Sequence, residues 1–149
     1  MKYSIFTVPP KDFAVALVVA GCYCEYQDTL LFLKRHSSHP QGGTWGIPSG
    51  KQEKGESPRQ TVAREVHEEV GISISDDAHL QELGTLYVRL PHVDYIYHMF
   101  RKRFTTLPEL ILSEEHVEAQ WLTLQQALQL QLITGGKEAL EYYRKFLDL

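Results

Sequence analysis

Glu65, Glu68 and Glu69 stand three and four residues apart, so on a helix they share one face. Closely spaced carboxylates offer hard oxygen ligands of the kind that hold Mg²⁺ or Mn²⁺ and leave other coordination positions to water and substrate phosphates. The same three letters also describe a solvated acidic face. The placement is costly. The Glu65–Glu68 and Glu65–Glu69 pairs each disfavour an isolated helix by about 0.2–0.5 kcal/mol. Glu68 and Glu69 in a last turn oppose the helix macrodipole by about 0.3–1 kcal/mol each. Only Arg64, four residues before Glu68, is positioned nearby to offset them. Charge alone leaves the choice between a cation site and a solvated face open.

The helix that must carry these groups is marked at both ends. Ser57 is a good N-cap, Pro58 suits the first helical position, and Gln60 completes a capping-box pattern. Gly71 supplies the left-handed residue that ends a helix. Between them Val62, Ala63, Val66 and Val70 form one apolar face, and the glutamates fall on another. Six of the ten glycines fall between residues 42 and 71, which marks backbone that turns tightly or approaches a ligand closely.

The rest of the chain reads as mixed α and β. Strands are expected over Leu30–Arg35, Leu80–Leu90, Val93–Phe104 and Val117–Thr123, with a Gly/Pro-rich loop over Ser37–Gly46. Helices are expected over Leu124–Leu130 and Lys137–Leu147. The apolar run Phe13–Cys22 ends in Val19-Ala20-Gly21-Cys22 and so has the look of a lipoprotein export signal. Asp12 abuts it where such a signal wants positive charge, Pro9-Pro10 lies inside the leading region, and the run is too short to span a bilayer. A buried first strand is the better reading, with Cys22 and Cys24 on one of its faces.

At 149 residues one domain, 1–149, is expected, long enough to bury a core without staples. The formal charge is −4, which argues against nucleic-acid or anionic-membrane partners, since both need a positive surface. Two cysteines cannot make a disulfide framework and point to a reducing, cytoplasmic compartment.

The stretch Gly50–Ile72 resembles the Nudix box at every defining position. It runs Gly50, five residues, Glu56, seven residues, Arg64-Glu65, aliphatic Val66, one residue, Glu68-Glu69, one residue, Gly71 and aliphatic Ile72. So many fixed identities set it apart from a short motif. Upstream, Leu33-Lys34-Arg35 and Trp45–Gly50 resemble the strand and loop that precede the box in this family. Ser49 departs, where many relatives carry Gly. Downstream, Glu114-Glu115-His116 through Trp121 resembles the segment where relatives add another acidic residue.

The resemblance implies an α/β class fold, the Nudix α/β/α sandwich with a mixed β-sheet and a loop–helix–loop. It implies hydrolysis of a nucleoside diphosphate linked to another group X. Carried over position by position, Glu65, Glu68 and Glu69 bind the divalent metal, with the Gly50 carbonyl and Glu115 as further ligands. Glu65 and Glu68 then belong to the catalytic set, with Glu56 and Arg64 bracing the carboxylates through charge-assisted hydrogen bonds. The cofactor implied is Mg²⁺, with Mn²⁺ as a substitute. Glu65 is the first choice of base, with Glu114, Glu115 and Glu118 as alternatives. The substrate class is a nucleoside triphosphate or dinucleoside polyphosphate, then a nucleotide sugar. A non-catalytic nucleotide sensor is the rival, disfavoured because the carboxylates are intact. The partner is a small-molecule nucleotide, and a monomer or homodimer is expected.

Arg35 and Lys51 flank the box and are candidates to hold substrate phosphates, though ordinary surface cations fit them equally. Trp45 and Tyr87 are candidates to stack on a base, although aromatic residues also pack in cores. Tyr87 falls where some dinucleoside polyphosphate hydrolases of the family carry a Tyr. His67 reads as a helix-face residue. His36, His39, His92, His98 and His116 are scattered and make no zinc pattern. Arg101-Lys102-Arg103 reads as a solvated strand end rather than a nucleic-acid footprint.

Overall fold

The computed structural model describes residues 2–74 and 79–147. Its elements, in order, are β1 (Ser4–Phe6), β2 (Val15–Tyr26), β3 (Thr29–Arg35), β4 (Trp45–Gly46), β5 (Ser49–Lys51), α1 (Pro58–Val70), β6 (Gln81–Leu90), β7 (Val93–Phe104), β8 (His116–Leu122), α2 (Leu124–Ala127) and α3 (Gly136–Leu147). The strands form one mixed sheet.

The apolar run that ends at Cys22 is the middle of that sheet. As β2 it starts at Val15, continues to Tyr26, and lies parallel to β7 from Val15↔Asp94 to Tyr26↔Phe104. Cys22 and Cys24 are buried free thiols on one face, 3.7 Å apart. β6 and β7 form a hairpin about Pro91-His92, and β1 adds an edge strand beyond β6. β2 pairs with β3 only at the hairpin tip, Glu25↔Leu30 and Tyr26↔Thr29. Beyond the tip the two strands part. β3 goes on with β8 and β4, while β5 pairs with β2 at Val19–Gly21. That split lets the chain enter and leave the sheet beside the box helix.

Each face of the sheet is covered by helix. α1 lays Val62, Val66 and Val70 on Ala20, Cys22, Leu31, Leu33 and Phe100. On the other face α2 and α3 place Ala127, Ala139, Leu140 and Tyr143 against Tyr23, Phe32, Leu86 and Met99. The result is the expected α/β/α sandwich, driven by burial of two apolar faces of one sheet.

Two local expectations differ. The helix expected over 124–130 ends at Ala127, and the chain leaves it in turns. The reason lies in edge pairing. Trp45 N–H donates to Gln131 O and Ile133 N–H to Trp45 O, each at 2.9 Å, so these strand-like bonds outcompete another helical turn. The same bonds make the end of the glycine-rich loop into β4. β1 has too few residues to show a period. Among the described residues, no helix is long and apolar enough to cross a membrane.

Candidate active site

The ends of α1 are built as its letters ask. Ser57 Oγ accepts from Gln60 N–H at 3.2 Å, and Gln60 Oε1 accepts from Ser57 N–H at 2.8 Å. Gly71, at φ 76°, donates its N–H to His67 O. Helices end with orphan carbonyls, and two of them choose the next piece of the site. Ile111 N–H donates to Val70 O at 2.9 Å and Ser113 N–H to Glu69 O at 3.0 Å. His36 N–H also donates to Glu115 O at 2.8 Å. These bonds stitch residues 111–116 to the helix end and bring Glu115 and His116 to Glu69.

Arg64 is the hub of the acidic face. Its Nε donates to Glu56 Oε2 at 2.8 Å and its Nη2 to Glu56 Oε1 at 3.1 Å and to Lys51 O at 2.9 Å. Its Nη1 donates to Glu65 at 2.8 Å and to Glu68 at 3.2 Å. All five guanidinium N–H groups are thus engaged, and one side chain ties the loop before the helix to two of the box glutamates. Glu56 also accepts from Thr61 Oγ1 at 3.0 Å and Glu53 N–H at 2.9 Å.

The hydrogen bond from Arg64 holds the Glu56 carboxyl down to about 2, from an ordinary 4.5. A depressed carboxylate contributes stability that is complete above its unfolded pKa and is lost as pH falls through its folded one. Glu56→Gln is therefore expected to lower stability at neutral pH and to flatten its fall between pH 4.5 and 2. Urea midpoints measured across that range check this. An unchanged acid limb would contradict it.

Gly50 lies against Glu65. A Cβ at Gly50 would sit 2.0 Å from Glu65 Cδ, so only glycine lets the carboxyl occupy that place. Burial pushes the Glu65 carboxyl up, against the lowering effect of Arg64. Glu69 is 5% exposed and is pushed well up, first by burial and then by the Glu65 charge, with the Ser49 N–H at 3.1 Å the offsetting bond.

Glu69 lies against the Glu65 carboxyl and links the box glutamates to a second group of ligands. Arg64 gathers Glu65 and Glu68, whereas Glu69 turns toward Glu115 and His116. Ligand atoms of Glu69, Glu115 and His116 lie within 4.8 Å of one another. The sequence reading left His116 among scattered histidines. What places it is a bulge: Lys34 faces Glu118 and Arg35 faces His116, so Val117 is an extra residue on β8. Such bulges re-aim side chains beside active sites. Two carboxylates and a neutral-leaning imidazole, its pKa lowered by burial and by Arg35, form a donor set that fits a divalent cation.

A cavity of about 380 Å³ reaches this cluster. Its walls include Leu17, Val19, Leu86, Val88, Val93 and Tyr95, and its lining continues through Trp45, Ser49, Gly50 and Glu69 to His116. Arg35 and Lys51 both line it, as do Tyr97 and Gln41. Arg35 Nε also donates to Pro40 O at 2.9 Å. Tyr87 is placed elsewhere. Strand alternation sends Leu86 and Val88 to the cavity and Tyr87 to the opposite face, where its ring meets Phe13 edge-on at 5.6 Å. Glu114 is exposed, Glu118 accepts from Gln120 on its own strand, and His67 is exposed on α1.

Comparison with known proteins agrees with this geometry. The family model described as the NUDIX domain matches residues 15–146. An 8-oxo-dGTP diphosphatase of Proteus vulgaris is 29% identical over 97 residues, 65% of this chain and 75% of that protein. An ADP-ribose pyrophosphatase of Bacillus subtilis is 36% identical over 87 residues, 56% of this chain and 45% of its own. The chain thus spans three quarters of the first relative and under half of the second. Among solved structures, the MutT protein of Methanosarcina mazei Go1 superposes with a TM-score of 0.74 at 25% identity, covering 87% of this chain and 93% of that one. With the box, the sandwich and the family model in agreement, the chain belongs to the Nudix family, as a MutT-like Nudix hydrolase.

Proposed function

We propose that this pyrophosphohydrolase cleaves a phosphoanhydride bond of a nucleoside triphosphate or dinucleoside polyphosphate, with Mg²⁺ as cofactor and Mn²⁺ as a substitute. The observation that carries the reading is the cavity: apolar and aromatic walls that lead to carboxylates flanked by Arg35 and Lys51. A planar base suits such walls; a nucleotide sugar brings the same base and adds a second ring of hydroxyls, each costing about 1–3 kcal/mol where it is buried without a partner. A nucleotide sugar therefore ranks second. The 8-oxo-dGTP named for the Proteus relative is itself a nucleoside triphosphate.

When bound, the divalent ion neutralises phosphate oxygens and lowers the pKa of a coordinated water. The chain's own groups do the rest. Arg35 and Lys51 screen the polyphosphate charge. Glu65, half-buried and with its carboxyl pushed up, is the group we assign to take a proton from the attacking water. Arg64 holds Glu65 in place, and Glu56 holds Arg64. The intact carboxylates favour an enzyme over a sensor. A reducing, cytoplasmic setting accompanies this reading, in keeping with two free buried thiols.

The test is a panel of nucleoside triphosphates, dinucleoside polyphosphates and nucleotide sugars, incubated with the protein and Mg²⁺. Turnover concentrated in the first two classes is expected. Turnover confined to nucleotide sugars would move the assignment to them. Nucleotide binding without turnover, indifferent to Mg²⁺ and to Glu68→Gln, would establish the sensor instead.

A further inference from the structure

We propose that His116 supplies a nitrogen ligand to a divalent ion held together with Glu69 and Glu115, which tilts this site toward Mn²⁺ over Mg²⁺. The inference rests on the reading above only in that the box carboxylates hold a cation. It concerns a residue outside the box and a donor type absent from the ligands the box supplies.

Two observations meet here. The first is proximity: one ligand atom from each of the three residues lies within 4.8 Å of the others. Ligands about 2.0–2.2 Å from a shared ion stand no more than about 4.4 Å apart, so closure on an ion requires shifts of well under 1 Å. The second is the state of the imidazole. The His116 side chain is 5% exposed, and its Nδ1 is buried without a hydrogen-bond partner. Its Nε2 faces Glu69 Oε1 at 3.7 Å, too long for a hydrogen bond. Buried polar groups almost always find partners. Here a buried ring whose Nδ1 has no hydrogen-bond partner among the described residues is held against two carboxylates.

The backbone fixes that position. His116 N–H donates to Ser113 O at 3.3 Å, Ser113 N–H is tied to Glu69 O, and the bulge at Val117 turns the ring inward. Imidazole suits Fe²⁺, Ni²⁺, Cu²⁺ and Zn²⁺ best; Mn²⁺, the first of that transition series, accepts one nitrogen among oxygen ligands more readily than Mg²⁺, which holds to oxygen and water. A purely structural histidine would show none of the metal signatures below.

The experiment uses the full chain loaded with Mn²⁺ and read by pulsed EPR. Modulation from a coupled ¹⁴N nucleus is expected in the wild type, converted to the ¹⁵N pattern when the protein carries ¹⁵N-histidine. It should persist in His39→Gln and vanish in His116→Gln. Calorimetry should show His116→Gln weakening Mn²⁺ roughly tenfold or more and Mg²⁺ by much less. Bound Mn²⁺ without nitrogen coupling in the wild type would overturn the proposal, and that result needs no variant to fold. Coupling that survives in His116→Gln, or no Mn²⁺ binding at all, would overturn it too. Turnover of the nucleotide panel by the same sample is scored separately. Turnover without nitrogen coupling rejects the ligand alone, and coupling without turnover rejects the hydrolase reading alone.

Discussion

Glutamine in place of Glu69 is expected to leave a folded protein whose turnover of its nucleotide falls by about 10²–10⁴-fold. Glu69 is the buried member of the acidic face, and its carboxyl is shared between Ser49 N–H on one side and Glu115 and His116 on the other. The amide keeps the volume and still accepts from Ser49. It removes one negative charge from the place where a cation would be gripped. Stability without metal should move the opposite way. A carboxyl whose pKa is raised on folding costs stability once pH exceeds its unfolded value. Glu69→Gln should therefore raise Tm of the metal-free protein at neutral pH by a few degrees, about 1 kcal/mol in a chain of this size. Steady-state turnover and thermal unfolding on one preparation read both effects. Unchanged turnover would remove Glu69 from the site.

Gly50→Ala is expected to cut turnover by about 10²-fold while costing little stability. The new Cβ would meet the carboxyl end of Glu65, at 2.0 Å from Cδ. That end can swing, so the fold accommodates the methyl. The carboxyl then leaves the position that Arg64 Nη1 holds at 2.8 Å, and displacement by about 1 Å at a reacting centre can cost about 10²-fold. Gly71→Ala makes the contrast. That position sits at φ 76° with Ile111 against it, so alanine there should lower stability by about 1 kcal/mol with a smaller loss of turnover. Urea unfolding and turnover of the two variants separate a glycine kept for the site from one kept for the helix cap. If Gly50→Ala loses stability and keeps its activity, the two roles are reversed.

The box helix was legible because its signals are local. Ser57, Pro58, Gln60 and Gly71 act on neighbouring backbone, and Val62, Val66 and Val70 reveal their face by spacing alone. Arg64 and Glu56 were legible through the family pattern, and the structure brings them together with Glu65 and Glu68. His116 was not legible, because a bulge depends on how β8 registers against β3, a pairing of distant segments. Tyr87 shows the same limit. Which face of β6 it takes depends on sheet geometry rather than on any adjacent residue. The early end of α2 likewise follows from bonds to Trp45, more than eighty residues away in the chain.

The central claim is that water attacks a phosphorus atom of a nucleotide, with a divalent cation gripped by the box carboxylates. Hydrolysis in H₂¹⁸O with Mg²⁺, with products separated and weighed by mass spectrometry, tests it most directly. The account predicts one ¹⁸O on the phosphorus of a single product, no reaction in EDTA, and a rate that collapses in Glu69→Gln. Label-free products, or full turnover in EDTA, would contradict it.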